Sequence, residues 1–149
     1  MTDQINEHAP VSGASETEIA ATPEVVWDVL TDIERWPSWI PAVKSASAQR
    51  DLAEGSGFRW KAGLGTITST IQRVESPRLI VWTGKTFGIK AIHVYTLEPR
   101  AGKTFVSTTE SYDGLVARVF RRPLQKTLDT ALADGLRHLK AEAERRSRA

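Results

Sequence analysis

Between Val43 and Ser111 the chain alternates short β-rich runs with turn signals, and after Gly114 its apolar residues switch to helical spacing. No other feature limits the possible folds as much. The β-rich runs are Val43–Gln49, Phe58–Ala62, Thr66–Val74, Leu79–Thr83, Ile89–Leu97 and Thr104–Ser111. They are separated by Glu54-Gly55-Ser56-Gly57, Gly63-Leu64-Gly65, Ser76-Pro77, the segment from Gly84 to Gly88, and Pro99 to Gly102. Breaks this short join antiparallel neighbours, because a parallel crossover needs a dozen residues or more. Downstream, Val116, Phe120, Leu124, Leu128, Leu132, Gly135 and Leu139 recur at steps of four and three, one stripe of a long amphipathic helix. Pro123 lies inside this stripe and predicts a kink or a division of the helix.

The start of the chain adds one strand and two short helices. Ser15–Ala21 reads as a strand. Thr22-Pro23-Glu24 then opens a helix, with Thr22 as cap, Pro23 at the first helical position and Glu24 at the positive end of the dipole. A second short helix starts at Thr31-Asp32 and is interrupted by Trp36-Pro37 and Ile40-Pro41. Residues 1–14 read as a disordered tail, 15–145 as a single domain and 146–149 as a basic tail. A chain of 149 residues suits one domain. The expected class is α+β: a curved seven-stranded antiparallel sheet whose apolar face is covered by the long C-terminal helix.

Hairpin pairing predicts which side chains share that face. Pairing Ala62 with Gly65, Val74 with Leu79, Gly84 with Ile89 and Glu98 with Lys103 collects Phe58, Trp60, Ile67, Ser69, Ile71, Arg73, Ile80, Trp82, Ala91, His93, Tyr95, Val106, Thr108 and Glu110 on the inner face. Arg59, Lys61, several threonines, Val81, Ile92 and Val94 fall outside. Indole, hydroxyl, imidazole and carboxyl groups on one inner face need partners, since burying them unpaired costs several kcal/mol. A mostly apolar cavity with a few polar groups is the usual form of a small-molecule site. Phe58, Trp60, Ile71, Trp82, Tyr95 and Thr108 are the expected ligand-binding residues. His93 and Glu110, diagonal neighbours in this register, are the expected acid–base pair, the carboxylate raising the histidine pKa. A self-satisfied polar pair and volume-filling indoles are the plain structural alternatives.

Composition narrows the chemistry. The chain has no cysteine, which excludes disulfides, Cys-ligated zinc, iron–sulfur clusters and thiol catalysis. His8, His93 and His138 have no metal-ligand spacing, so neither metal nor cofactor is expected. No apolar run approaches the ~20 residues of a membrane span. The N-terminus is polar and acidic, unlike a secretory signal, so a cytoplasmic location is expected. A net charge of +2 gives no case for nucleic acid. Residues 114–126 nevertheless carry Arg118, Arg121, Arg122 and Lys126 with no acid, which leaves open a weak membrane-surface contact through the basic C-terminal helix.

The segments TPEVVWDVLTDIERWPSWIPAV, GSGFRWKAG, RLIVWTG…GIKAIHVYTLEP and TTESYDG before a long final helix resemble the START-type, polyketide-cyclase and birch-pollen-allergen-like proteins grouped as the SRPBCC superfamily. The resemblance runs from about Ser15 to Glu144. It implies a helix-grip fold with a cavity between sheet and C-terminal helix. Trp36 and Trp39 would border its entrance as packing anchors or a gate. Arg59 invites comparison with carbonyl-polarising residues of polyketide aromatase/cyclases, but its outer-face register argues against that role. Three functions follow as expectations. The first is binding of a small hydrophobic ligand, aromatic, polyketide-like or lipid-like, in that cavity. The second is a polyketide cyclase, aromatase or dehydratase using His93 and Glu110. The third is a co-chaperone-like surface interaction module.

Overall fold

The computed structural model describes residues 4–48, 51–63 and 65–149. Gln49, expected at the end of the second strand, and Leu64, expected in a hairpin turn, lie outside the described residues. The elements are β1 (Val11–Ile19), α1 (Pro23–Thr31), a 3-10 turn (Ile33–Arg35), α2 (Trp36–Trp39), β2 (Val43–Ala48), β3 (Gly57–Ala62), β4 (Gly65–Glu75), β5 (Leu79–Thr86), β6 (Ile89–Arg100), β7 (Lys103–Asp113), α3 (Leu115–Val119) and α4 (Arg121–Arg148). The strands form one seven-stranded antiparallel sheet in the order β1-β7-β6-β5-β4-β3-β2. The connection through α1 and α2 carries the chain from one edge of the sheet to the other. α4 packs most heavily on β1, with Leu128, Leu132, Leu136, Leu139 and Ala143 as its buried side. Leu136, and not Gly135, continues the stripe, and Phe120 is left outside it.

Local chemistry accounts for most boundaries. The Val25 N–H donates to Thr22 Oγ1 at 3.4 Å, so Thr22 caps α1 as expected. Pro37 sits in the first turn of α2, where a missing N–H costs nothing, so it opens that helix and does not interrupt it. Pro41 holds Ile40 extended and ends it. Pro123 lies in the first turn of α4, and the helix divides just upstream, at Phe120.

Both tails are corrected. β1 opens at Val11, four residues before the expected Ser15, so the tail read over 1–14 is shorter. The polar composition there hides the pairing, because its partners are backbone and amide groups. Val11–Ala14 pair with Thr109–Tyr112 of β7, and Gln125 of α4 accepts from the Ser12 N–H at 3.4 Å and donates to the Ser12 carbonyl at 2.7 Å. The approach is so close that a Cβ on Gly13 would stand 3.0 Å from Asp129 Oδ1. Asn6 also donates its backbone N–H to Ser111 Oγ at 3.1 Å. At the other end α4 runs to Arg148, absorbing the basic tail read over 146–149, and Glu142 receives bonds from Arg145 and Arg146.

The register explains how faces survive wrong partners. β3 and β4 pair as expected, with Ala62 opposite Gly65 and Trp60 opposite Ile67. The β4–β5 hairpin closes one residue away from expectation, with Val74 opposite Ile80, but a bulge between Ile71 and Arg73 restores Ile71 opposite Trp82. That bulge turns Arg73 to the outer face, opposite Val81, where it pairs with Glu75, so the inward placement of Arg73 is corrected. The next two hairpins are each slipped by two residues, which preserves every face. The cause is turn geometry. Phe87-Gly88 and Ala101-Gly102 all take positive φ, the two-residue turns that match strand twist, so the strands run further than propensity suggests.

Candidate functional site

Three rows of side chains cross the inner face. One runs Ile71–Trp82–His93–Glu110, each residue directly opposite the next. A second runs Ile80–Tyr95–Thr108 on one side of it. A third runs Phe58–Ser69–Gly84–Ala91–Tyr112 on the other. His93 and Glu110 are therefore directly opposed, closer than the diagonal placement expected. Rings stack around them: His93 lies 4.9 Å from Trp82 and 4.7 Å from Tyr95, and Trp82 lies 5.5 Å from Tyr95.

Hydrogen-bond bookkeeping fixes the imidazole. Thr108 Oγ1 donates its single proton to the Val94 carbonyl at 3.0 Å. It can therefore only accept from His93 Nε2–H, 2.8 Å away. The tautomer carries its proton on Nε2 and turns Nδ1 toward Glu110 Oε1 at 3.5 Å. Burial pushes His93 down to about 3 and Glu110 up to about 8. The expectation that the carboxylate raises the histidine is thus reversed: desolvation outweighs pairing, and the pair is neutral with the proton on Glu110. Burial, with the nearby Glu110 carboxyl, also raises the Tyr95 and Tyr112 hydroxyls, which stay protonated. The His93 and Glu110 side chains keep 12% and 13% of their surface open to solvent. A carboxylic acid and an imidazole lone pair thus stand side by side at the edge of an aromatic wall, able to donate to a carbonyl or accept from a hydroxyl.

Thr108→Val is expected to free the tautomer. The His93 ring nitrogens should then show mixed Nδ1–H and Nε2–H forms in 15N spectra, whereas Thr108→Ser keeps the single Nε2–H form. An unchanged spectrum in a folded Thr108→Val protein contradicts the assignment.

The other expected residues divide. Trp60 is half-buried and donates Nε1–H to Ser69 Oγ at 3.1 Å. Beside His93 the third row holds the small residues Ser69, Gly84 and Ala91, and the Ile67 side chain covers Gly84, where a Cβ would stand 3.1 Å from Ile67 Cγ2. Phe58 and Ile71 are each 2% exposed, and they line a cavity of about 200 Å³ with Ile33, Leu52 and the acidic Asp32 and Glu34. That cavity lies under the 3-10 turn, away from His93. Trp36 is the residue that sequence reading undervalued. Its ring lies 5.6 Å from Phe58, 5.5 Å from Trp60 and 5.6 Å from Trp82, and its Nε1–H donates to the Leu30 carbonyl at 2.9 Å. It fills the middle of the inner face. A tryptophan beside proline at the start of a one-turn helix, four residues long, was the available signal. Among the described residues no group of three His, Asp or Glu side chains is placed to hold a metal, and no helix is long and apolar enough to cross a membrane.

A curved antiparallel sheet gripping its C-terminal helix is the START-like helix-grip fold of the SRPBCC superfamily. The sequence profile described as polyketide cyclase / dehydrase and lipid transport matches residues 10–144, and the chain belongs to that family. Solved structures agree on the fold. The Zhui aromatase/cyclase from Streptomyces sp. R1128 superposes with a TM-score of 0.80 at 17% identity, over 93% of this chain and 96% of that one. A START superfamily protein from Mycobacterium smegmatis gives 0.70 at 18% identity, over 92% and 97%. Norcoclaurine synthase from Thalictrum flavum gives 0.69 at 15% identity, over 89% and 92%. No curated protein matches the chain by sequence.

Proposed function

We propose that the protein binds a small, mostly apolar, uncharged ligand between the sheet and α4, with a carbonyl or hydroxyl of the ligand at the His93–Glu110 pair. One observation carries this reading: a neutral, hydrogen-bonding pair remains partly open to solvent inside an otherwise aromatic wall. Trp82 and Tyr95 offer flat surfaces to an aromatic or polyketide-like ring. The neutral pair favours neutral ligands, because an incoming carboxylate would lose its hydration without gaining a cation. The family description, which names chemistry on polyketides and lipid transport, agrees with a small-molecule role.

A second reading is favoured by the protonation states themselves. A carboxylic acid raised to about 8 beside an imidazole with a free Nδ1 lone pair is a general acid next to a general base. On a bound carbonyl compound, Glu110 would protonate a developing alkoxide or a leaving hydroxyl, and His93 would remove a proton from the adjacent carbon. That is the chemistry of a cyclase or dehydratase.

The binding reading is tested by calorimetry with 2-naphthol and 2-naphthoate at pH 6. The naphthol is expected to bind at least about tenfold more tightly, a difference of about 1.4 kcal/mol. Glu110→Gln and His93→Ala should weaken naphthol binding, while a substitution of exposed Arg137 leaves it unchanged. Equal affinity for the two probes, or binding of neither, contradicts the proposal.

A further inference from the structure

Among the described residues four large apolar side chains are exposed, Phe87 at 71%, Leu115 at 74%, Val119 at 65% and Phe120 at 54%, and they gather at one end of the molecule. Packing joins them. A Cβ on Gly88 would lie 2.8 Å from Val116 Cγ2, and one on Gly114 would lie 2.3 Å from the Gly88 carbonyl, so the turn carrying Phe87 abuts the start of α3. Leu115 and Val119, one helical turn apart, share the outer side of α3, while Ala117 between them is fully buried. Phe120 follows at the break before α4. The Phe87 ring itself leans over Gly65, where a Cβ would stand 2.3 Å from its Cε2. Single exposed apolar residues are ordinary, but four on adjoining segments mark an interaction surface.

The charges around this group are mostly positive. Lys85 and Lys90 stand directly opposite each other across the hairpin that Phe87 tips. Like charges so placed repel unless an anion approaches. Exposed Arg118, Arg121, Arg122 and Lys126 follow along α3 and α4, and residues 114–126 contain no acid. Asp113 answers part of this charge: it lies opposite Lys90 and 3.8 Å from Arg118. Arg121 donates to the Pro10 carbonyl, which leaves its charge unneutralised. Two copies meeting face to face would bring these bases together, which argues against self-association.

We propose that this end docks on an anionic lipid bilayer, with Phe87, Leu115, Val119 and Phe120 entering the interface and the lysines and arginines at the headgroups. Apolar tips within a basic surround fit the boundary between acyl chains and anionic headgroups. The proposal is independent of what the inner face binds.

Co-sedimentation of the full chain with phosphatidylcholine vesicles, with and without phosphatidylglycerol, tests it. The protein is expected to pellet with the mixed vesicles, to remain in solution with phosphatidylcholine alone, and to be released by high salt. Arg121→Glu with Arg122→Glu should weaken binding by about tenfold or more. Leu115→Ser with Phe120→Ser should do the same without altering the circular dichroism spectrum, since both side chains are exposed. Three results overturn the proposal: no pelleting with either vesicle, equal pelleting with both, or concentration-dependent self-association that the Leu115→Ser, Phe120→Ser protein loses.

Discussion

Glu110→Gln is expected to become more stable relative to the parent protein as pH rises from about 4.5 to 8, by about 3–5 kcal/mol over that interval. The sign follows from proton counts. Glu110 holds its proton in the folded protein to about 8, but releases it near 4.5 when unfolded. Between those values the folded state binds more protons, so each rise in pH favours unfolding. His93 acts oppositely: unfolded it binds a proton below 6.5, folded only below about 3, so its contribution is lost as pH falls through that window. In the parent protein the two slopes cancel between 4.5 and 6.5, leaving a plateau. Stability then falls between 6.5 and 8 from Glu110 and below 4.5 from His93. In Glu110→Gln only the histidine slope remains. Stability should rise from 4.5 to 6.5, where the parent is flat, and stay level from 6.5 to 8, where the parent declines. Urea unfolding at these pH values measures both curves. Parallel curves contradict the neutral pair.

Trp36→Ala is expected to cost about 3–5 kcal/mol, the range for truncating a buried tryptophan. The ring is 3% exposed and meets Phe58 and Trp60 edge-on, at interplanar angles of 90° and 88°. Its loss leaves a void against three aromatic rings and frees the Leu30 carbonyl that the indole N–H satisfied. Trp36→Phe separates these effects. It keeps most of the packing and loses the hydrogen bond, for about 1–2 kcal/mol. Denaturant midpoints at pH 6, inside the plateau, give both numbers. A Trp36→Ala protein within about 1 kcal/mol of the parent would show that α2 does not anchor the inner face.

The sequence made the architecture legible because two periods were written into it without conflict. Alternation of Phe58 and Trp60 with Arg59 and Lys61, then the step of four through Leu124, Leu128 and Leu132, leaves little choice of layer order. The faces of Trp82, His93 and Glu110 were also legible, since a slip of two residues leaves parity intact. The partners were not. Positive φ at Phe87 and Ala101, non-glycine residues, is not announced by propensity, and it moved His93 from a diagonal to a direct position opposite Glu110. The bulge that turned Arg73 outward was equally silent. Protonation was misread for a different reason. Pairing is visible in spacing, but desolvation depends on how many elements close over a group, and that exists only in three dimensions. Trp36 shows the same limit: its neighbours Phe58 and Trp60 come from β3 and Trp82 from β5, two strands distant from it in sequence.

The pair at the centre of this account is tested most directly by following the Glu110 side-chain carboxyl by 13C NMR and the His93 ring by 15N NMR across one pH series. Glu110 is expected to titrate near 8, with His93 a neutral Nε2–H tautomer from above that value down to about 3. A Glu110 that titrates near 4.5, together with a His93 that gains its proton at or above 6.5, would make the pair a charged ion pair and contradict the site as described.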